Sequence, residues 1–152
     1  MPASIRLAAA ADLAAINDIY NHYVPISTAT YDYEAFTLEQ RAAWFANRPT
    51  IHPVTVAERD GLIVGWGALG VFRTKHGYRH TVENSVYIHP QHQRQGIGAA
   101  ILADLVQRAR QLGLHAIVAG IDATHASSIA LHAKYGFIEV ARFREVGYKF
   151  DR

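Results

Sequence analysis

Apolar residues recur along the chain with two different spacings, which separate predicted helices from predicted strands. Spacings of three and four residues, as in Ile16, Ile19 and Tyr23, predict amphipathic helices. Four helices are predicted: one from Asp12 to before Pro25, one from Thr37 to Asn47, and two over residues 96–112 and 126–135. Runs rich in β-branched and aromatic residues predict seven strands, over residues 4–7, 54–59, 62–71, 81–89, 116–121, 137–142 and 146–150. This order is typical of one α/β (α+β) domain in which helices pack on a mixed sheet.

Local signals support several of these boundaries. Asp60-Gly61 separates the second and third strands and predicts a tight hairpin. Thr37 and Gln40 have the spacing of a capping box, which predicts the start of the second helix. The continuous apolar run Ala116–Ile121 predicts a strand buried between helices.

The junction between the strand over 81–89 and the helix over 96–112 predicts an anion site. Pro90 lacks an amide hydrogen and therefore ends the strand, while Gly96 and Gly98 open the helix. The first amides of a helix have no partner within it, and the helix dipole adds positive potential at the same end. We therefore expect this turn to hold a pyrophosphate group.

The residues of the turn distinguish among phosphate-binding loops. A dinucleotide fingerprint needs a third glycine, but alanines follow Gly98, and the Lys and Ser/Thr of a P-loop are also missing. The stretch Gln93-Arg94-Gln95-Gly96-Ile97-Gly98 resembles the acyl-CoA pyrophosphate loop, (Q/R)-x-x-G-x-(G/A), of the GNAT N-acetyltransferases.

Composition narrows the classes of function. The 152-residue chain has no cysteine, which excludes disulfides, thiolate metal sites and a thiol nucleophile, and suits a reducing cytoplasm. Its net charge of +2 does not favour a nucleic-acid partner. We find no signal peptide and no apolar run long enough to span a bilayer, so no membrane association is expected. His76 and His80 have a metal-ligand spacing, but we expect solvated loop histidines and no metal.

The resemblance to GNAT enzymes extends over nearly the whole chain. Segments 18–21 (DIYN), 80–88 (HTVENSVYI) and 128–137 (SIALHAKYGF) are similar to phosphinothricin and methionine sulfoximine acetyltransferases. The resemblance implies a sheet with a splayed strand pair, a homodimer, and direct acetyl transfer from acetyl-CoA, in a ternary complex, to a small amino-acid-like amine. Phosphinothricin and methionine sulfoximine or sulfone are examples of such an acceptor. Family members continue with a further strand, so a shortened C-terminal strand is expected here.

Glu83 is the candidate general base. Strand alternation places Glu83, Ser85 and Tyr87 on one face, and a carboxylate in a closed site can have its pKa raised towards working pH. The alternative is a surface carboxylate paired with Arg73 or Arg79. For protonation of the leaving thiolate, the resemblance implies His132, where many GNAT enzymes have Tyr, and Tyr135 is a second candidate. The alternative for His132 is packing against the cofactor without titration.

The cofactor is expected between the strands over 81–89 and 116–121. Backbone groups of residues 86–88 would pair with its pantetheine arm. The predicted cofactor-binding residues are Val86, Tyr87, Ile88, Gln93, Arg94, Gln95, Gly96, Ile97, Gly98, Ala99, His125 and Ser128. His125 occupies a position where family members commonly have Asn.

A basic loop over residues 72–80 is the candidate acceptor site, because guanidinium groups bind carboxylates or phosphinates in a fork geometry. The predicted acceptor-binding residues are Tyr31, Arg73, Lys75, Tyr78, Arg79 and Glu83. The alternative is that this loop is a solvated edge or a dimer contact.

Two other functions remain open. One is a GNAT enzyme acting on a peptide N-terminus or another amine, although a polyamine site would need acidic residues that the 72–80 loop lacks. The other is a non-catalytic acyl-CoA-binding domain, which would need neither Glu83 nor His132.

Overall fold

The computed structural model describes residues 1–152 and contains five strands and four α-helices. The strands are β1 (Ser4–Leu7), β2 (Val54–Arg59), β3 (Leu62–Val71), β4 (Thr81–Ile88) and β5 (Ala116–Val118). The helices are α1 (Leu13–Tyr23), α2 (Leu38–Ala46), α3 (Ile97–Gln111) and α4 (Ala126–Lys134). The Thr37–Gln40 capping box forms in both directions, as predicted.

The strands form one mixed sheet in the order β1-β2-β3-β4-β5. The first three pairs are antiparallel, and β4 and β5 are parallel. Asp60 and Gly61 both have positive φ (51° and 77°), the backbone twist that a tight hairpin between β2 and β3 requires. The mixed α/β sheet predicted from the sequence is confirmed.

Both faces of the sheet are covered. Helix α1 packs on one face through Ile16 and Ile19, which join Val56 and Trp66 in one apolar cluster. Helix α3 packs on the other face in a second cluster, which contains Val64, Leu69, Val82, Ile97, Ile101 and Leu105. Alternate side chains of the strands therefore belong to different cores, as the period of two requires.

Strands β4 and β5 separate soon after they pair. Their ladder contains only Thr81–Ala116, Val82–Ile117 and Glu83–Val118, whereas β4 continues to Ile88 with no strand along that edge. The predicted splayed pair is confirmed. The predicted strand over 116–121 is too long, because the divergence leaves residues 119–121 without a ladder partner. The strand is also half-buried rather than buried.

The two strands predicted over 137–142 and 146–150 are wrong, because the structure contains no strand after β5. Alternating apolar residues are not sufficient for a strand, which also needs a ladder partner, and this segment forms no backbone hydrogen bond to another strand. Its apolar side chains Ile138, Val140, Phe143, Val146 and Tyr148 are exposed. The segment is held instead by Lys149, which is 4% exposed and donates to the carbonyls of Ser27 (2.8 Å) and Thr30 (2.7 Å).

Candidate functional site

The turn before α3 has the backbone geometry that the sequence predicts. Gly96 is the N-cap residue with φ 79°, and no side chain caps the helix. The amides of Ile97, Gly98 and Ala99 therefore remain available to an anion at the positive end of a 15-residue helix. Arg94 also has positive φ (61°), so successive amides around the turn can converge on one group.

Side chains of the turn divide into those that anchor it and one that remains free. Gln93 donates to the hydroxyl of Tyr23 (2.7 Å), which in turn donates to the carbonyl of Ile88 (2.5 Å). Arg59 donates to the side chain of Gln95 (2.5 Å). The exposed side chain of Arg94 forms neither a hydrogen bond nor an ion pair, so it is the one available to neutralise a phosphate.

The free edge of β4 lies beside this turn. Strand β3 occupies one edge, with Gly67 opposite Val86 and Gly65 opposite Ile88, and the other edge is open beyond Glu83. The side chain of Tyr87 stacks on Trp66 (5.1 Å between ring centroids) and donates to the carbonyl of Ala29 (3.0 Å). Tyr87 can therefore offer its backbone to an extended ligand, while its ring belongs to the core.

Glu83 stands alone at the point where the strands diverge. Its carboxylate is open to solvent and forms no hydrogen bond or ion pair, so the alternative pairing with Arg73 or Arg79 does not occur. A Cβ atom added at Gly120 would lie 3.2 Å from Glu83 Oε1, which shows that the carboxylate spans the gap towards the chain after β5. Partial removal from water by the walls of the cleft raises the pKa of Glu83.

A cavity of about 250 Å³ adjoins Glu83. It is lined by Trp44, Arg48, Ala68, Gly70, Val71, Glu83 and Ser85. The register of β3 and β4 explains the grouping, because Gly70 lies opposite Glu83 and Ala68 lies opposite Ser85. No local pattern in the sequence indicates Trp44 or Arg48, since only the packing of α2 on the sheet brings them to β4.

His132 is buried, and both of its ring nitrogens are occupied. Its Nδ1 lies 2.7 Å from the carbonyl of Ser128, and its Nε2 lies 3.0 Å from the side-chain amide of Asn84. Assigned from this network, Nδ1–H donates to Ser128 and Nε2 accepts from Asn84. Because Asn84 and Glu83 are adjacent in a strand, His132 lies on the opposite face of β4 from Glu83.

The other predicted residues of α4 differ in how they are engaged. Tyr135 follows the helix and is half-buried, and its hydroxyl forms no hydrogen bond. His125 is the N-cap residue of α4, and its Nε2 lies 3.1 Å from the hydroxyl of Thr28. Ser128 is half-buried, with its carbonyl bound to His132. His125 thus links the start of α4 to the segment after α1.

The predicted acceptor-binding residues are not assembled in one place. Tyr31 donates to Asp122 (2.7 Å) and packs on Gly147, and no hydrogen bond or ion pair joins it to the 72–80 loop. The loop residues Arg73, Lys75, Tyr78 and Arg79 are exposed, and none of them lines the cavity at Glu83. Of this set, only Glu83 belongs to the cavity.

The structure contains neither a metal-ligand cluster nor a membrane-spanning helix. No three His, Cys, Asp or Glu side chains are grouped in a way that could hold a metal ion. None of the helices has both the length and the apolar character needed to cross a bilayer.

Comparison with known proteins gives consistent matches over this fold. The Acetyltransferase (GNAT) family profile matches residues 16–137. The chain is 43% identical over 150 residues to the L-amino acid N-acyltransferase MnaT of Escherichia coli K12, covering 98% of this chain and 87% of that protein. It is 42% identical to the L-methionine sulfoximine/L-methionine sulfone acetyltransferase of Salmonella typhimurium LT2, covering 98% of this chain and 88% of the relative.

A solved structure matches equally well. The phosphinothricin acetyltransferase of Sinorhizobium meliloti, crystallised in complex with acetyl-CoA, superposes with a TM-score of 0.95 at 36% identity. The match covers 100% of this chain and 83% of that one.

Proposed function

The chain belongs to the GNAT family of acetyltransferases, and on this premise we propose that it transfers acetyl from acetyl-CoA to the amino group of a small amino-acid-like acceptor. One observation carries the proposal. The unpaired carboxylate of Glu83 faces a cavity of about 250 Å³. Glu83 lies on β4, and the far end of this strand leads into the open anion-binding turn before α3. A co-substrate held at the turn and a small amine in the cavity would meet at Glu83.

The turn and the open edge of β4 are the parts suited to acetyl-CoA. The amides of residues 97–99 and the side chain of Arg94 would bind its diphosphate. The free edge over residues 86–88 would pair with the pantetheine amides as an added strand does, and an amide of this edge would polarise the thioester carbonyl. Gln93 and Gln95 hold the turn in place, and His125 and Ser128 border the cleft from α4.

Glu83 is the proton acceptor in this proposal. The ammonium group of the acceptor must lose a proton before its nitrogen can form a bond to the acetyl carbon, while the carbon–sulfur bond breaks. A pKa raised above the ordinary carboxyl value brings Glu83 closer to that of the ammonium group. Holding both substrates together supplies most of the remaining acceleration.

The released thiolate needs a proton, and the two candidates differ in their surroundings. Both ring nitrogens of His132 are already engaged in the assigned tautomer, because Nδ1–H donates to Ser128 and Nε2 accepts from Asn84. We therefore propose that His132 positions α4 against β4. Tyr135 has an unengaged hydroxyl and is the proposed acid.

The acceptor class is proposed from the named relatives together with the size of the cavity. Release of coenzyme A thiol should be measured with L-methionine sulfone, L-methionine sulfoximine, phosphinothricin and unmodified L-amino acids. An N-terminal peptide and a polyamine represent the alternative acceptors. Turnover restricted to the peptide or the polyamine would contradict an amino-acid-like acceptor.

Replacement of the proposed base tests the mechanism directly. Glu83→Gln should lower kcat by about 10²- to 10⁴-fold, the usual contribution of a positioned base, while calorimetry shows unchanged acetyl-CoA affinity. A matched control is Glu139→Gln, which changes an exposed carboxylate far along the C-terminal segment. If both variants turn over like the unmodified enzyme, Glu83 is not the base; if acetyl-CoA binds but no amine is acetylated, the chain is an acyl-CoA-binding domain.

Assembly and location are also proposed. The exposed apolar side chains between Ile138 and Phe150 favour a homodimer, because a patch of this kind is commonly covered by another chain. Light scattering coupled to size exclusion would measure the mass in solution. A chain without cysteine that uses acetyl-CoA fits a cytoplasmic enzyme, which cell fractionation would test.

A further inference from the structure

Two arginines near the cavity lack carboxylate partners. Arg41 is 2% exposed, and its guanidinium group lies against the rings of Tyr20, Phe36 and Trp44, at 4.5–4.7 Å from their centroids. Arg48 is half-buried, and its guanidinium group lies 4.4 Å from the centroid of Trp44. Neither forms an ion pair, so two positive charges are held on one aromatic wall without a directly bonded carboxylate.

The protein satisfies these cations only with neutral groups. Arg41 Nε donates to Asn17 (3.1 Å), while its Nη2 is buried without a partner. Arg48 donates from Nε to the carbonyl of His52 (3.1 Å) and from Nη2 to the carbonyl of Leu69, and its Nη1 has no partner. Burial and the neighbouring charge of Arg41 lower the pKa of Arg48 to about 10. A nearby anion would accept hydrogen bonds from the unpartnered nitrogens and would oppose the lowering of the pKa of Arg48.

Arg48 and Glu83 lie in the wall of the same cavity, with Gly70 between them. Gly70 pairs with Glu83 across the ladder, and a Cβ atom added at Gly70 would lie 3.5 Å from Arg48 Nη2. Because Gly70 has no side chain, the space between the carboxylate and the guanidinium group is open. The cavity thus offers a negative and a positive group to one small molecule.

We infer that Arg48 binds the carboxylate of a zwitterionic acceptor whose amino group lies at Glu83. This assignment rests on the proposed function and adds the residue that would hold the carboxylate of its amino-acid acceptor. The basic residues of the 72–80 loop are exposed and line none of this cavity, which leaves Arg48 as the cation in its wall. Trp44 forms the apolar wall beside Arg48.

The test compares two acceptors that differ only in the group assigned to Arg48. One is L-methionine sulfone, and the other is its carboxamide, in which a neutral amide replaces the carboxylate. Arg48→Gln should raise KM for the amino acid by about ten- to a hundredfold, the range of a charge-assisted hydrogen bond. KM for the carboxamide and for acetyl-CoA should stay within about twofold. Arg48→Lys keeps the charge but not the fork and should give an intermediate KM. Arg110→Gln, an exposed change on α3, is the matched control.

Several outcomes would overturn the inference. An unchanged KM for the amino acid in Arg48→Gln would do so, as would equal losses with both acceptors in Arg48→Gln and Arg48→Lys. Binding is measured separately through intrinsic tryptophan fluorescence, to which Trp44 in the cavity wall contributes, during titration with L-methionine sulfone. Saturable quenching that is kept in Arg110→Gln and lost in Arg48→Gln would support the site even if no acetyl transfer occurred. A wild-type protein with no saturable response to any L-amino acid would contradict it.

Discussion

The exposure and the pKa of Glu83 are set by its neighbours in the sheet. It follows Val82, which is buried against α3, so the pleat turns Glu83 to the other face. The ladder between β4 and β5 stops at this residue, and the opening exposes the carboxylate to a cavity rather than to a partner cation. Its raised pKa follows from loss of water without a compensating positive charge.

At the residue scale, the pH dependence separates the roles of Glu83, Tyr135 and His132. Because the pKa of Glu83 is raised, the acid limb of kcat/KM should have its midpoint above the usual carboxyl value of about 4.3, with activity rising as Glu83 loses its proton.

Tyr135→Phe should remove the alkaline limb that a tyrosine acid produces. His132→Ala should retain that limb but lower the melting temperature, since it leaves Asn84 and the Ser128 carbonyl without their partner. The opposite assignment follows if His132→Ala alone abolishes the limb.

At the scale of elements, the close approach of α3 to the sheet depends on two glycines of β3. A Cβ atom at Gly67 would overlap Ile101 and lie 3.0 Å from Leu105 Cδ1, and one at Gly65 would lie 3.1 Å from Ile97 Cγ2. These contacts set the position of α3, and with it the anion-binding turn at its start. Packing of α3 on the sheet therefore positions the turn that we propose to bind the diphosphate.

Gly67→Ala should lower the free energy of unfolding by about 1–3 kcal/mol, because the added methyl group overpacks the contact with Ile101. Urea denaturation measures the difference. Gly77→Ala is the matched control, since no atom lies within 4 Å of its added Cβ, and it should change stability little. Equal effects of the two substitutions would show that α3 does not need the space at Gly67.

At the scale of the whole molecule, the proposed cofactor site joins three elements that lie apart in the sequence. The turn belongs to α3, the open edge to β4, and the remaining wall to α4, which contacts α3 through Leu131 near Gly98. A ligand that bridges these elements binds only the folded chain, so it should stabilise the whole domain.

Acetyl-CoA at a hundred times its Kd should stabilise the domain by about 2.7 kcal/mol, seen as a rise in melting temperature. Arg94→Gln should need a higher concentration for the same rise, because one cation near the diphosphate is lost. Arg110→Gln should behave like the unmodified protein. A melting temperature independent of acetyl-CoA would contradict binding at the turn.

Features that depend on neighbours along the chain can be predicted from the sequence. The helices begin and end near their predicted residues because caps, glycines and proline act locally, and the turn after Pro90 has the expected backbone for the same reason. The placement of Glu83 and Val82 on opposite faces of β4 also followed from strand alternation alone. Only the tertiary structure decided which segments find a partner edge, so it shortened β5 and left 137–150 without a ladder. It also brought Trp44 and Arg48 of the α2 region to β4, because long-range packing, not local spacing, sets which side chains share a cavity.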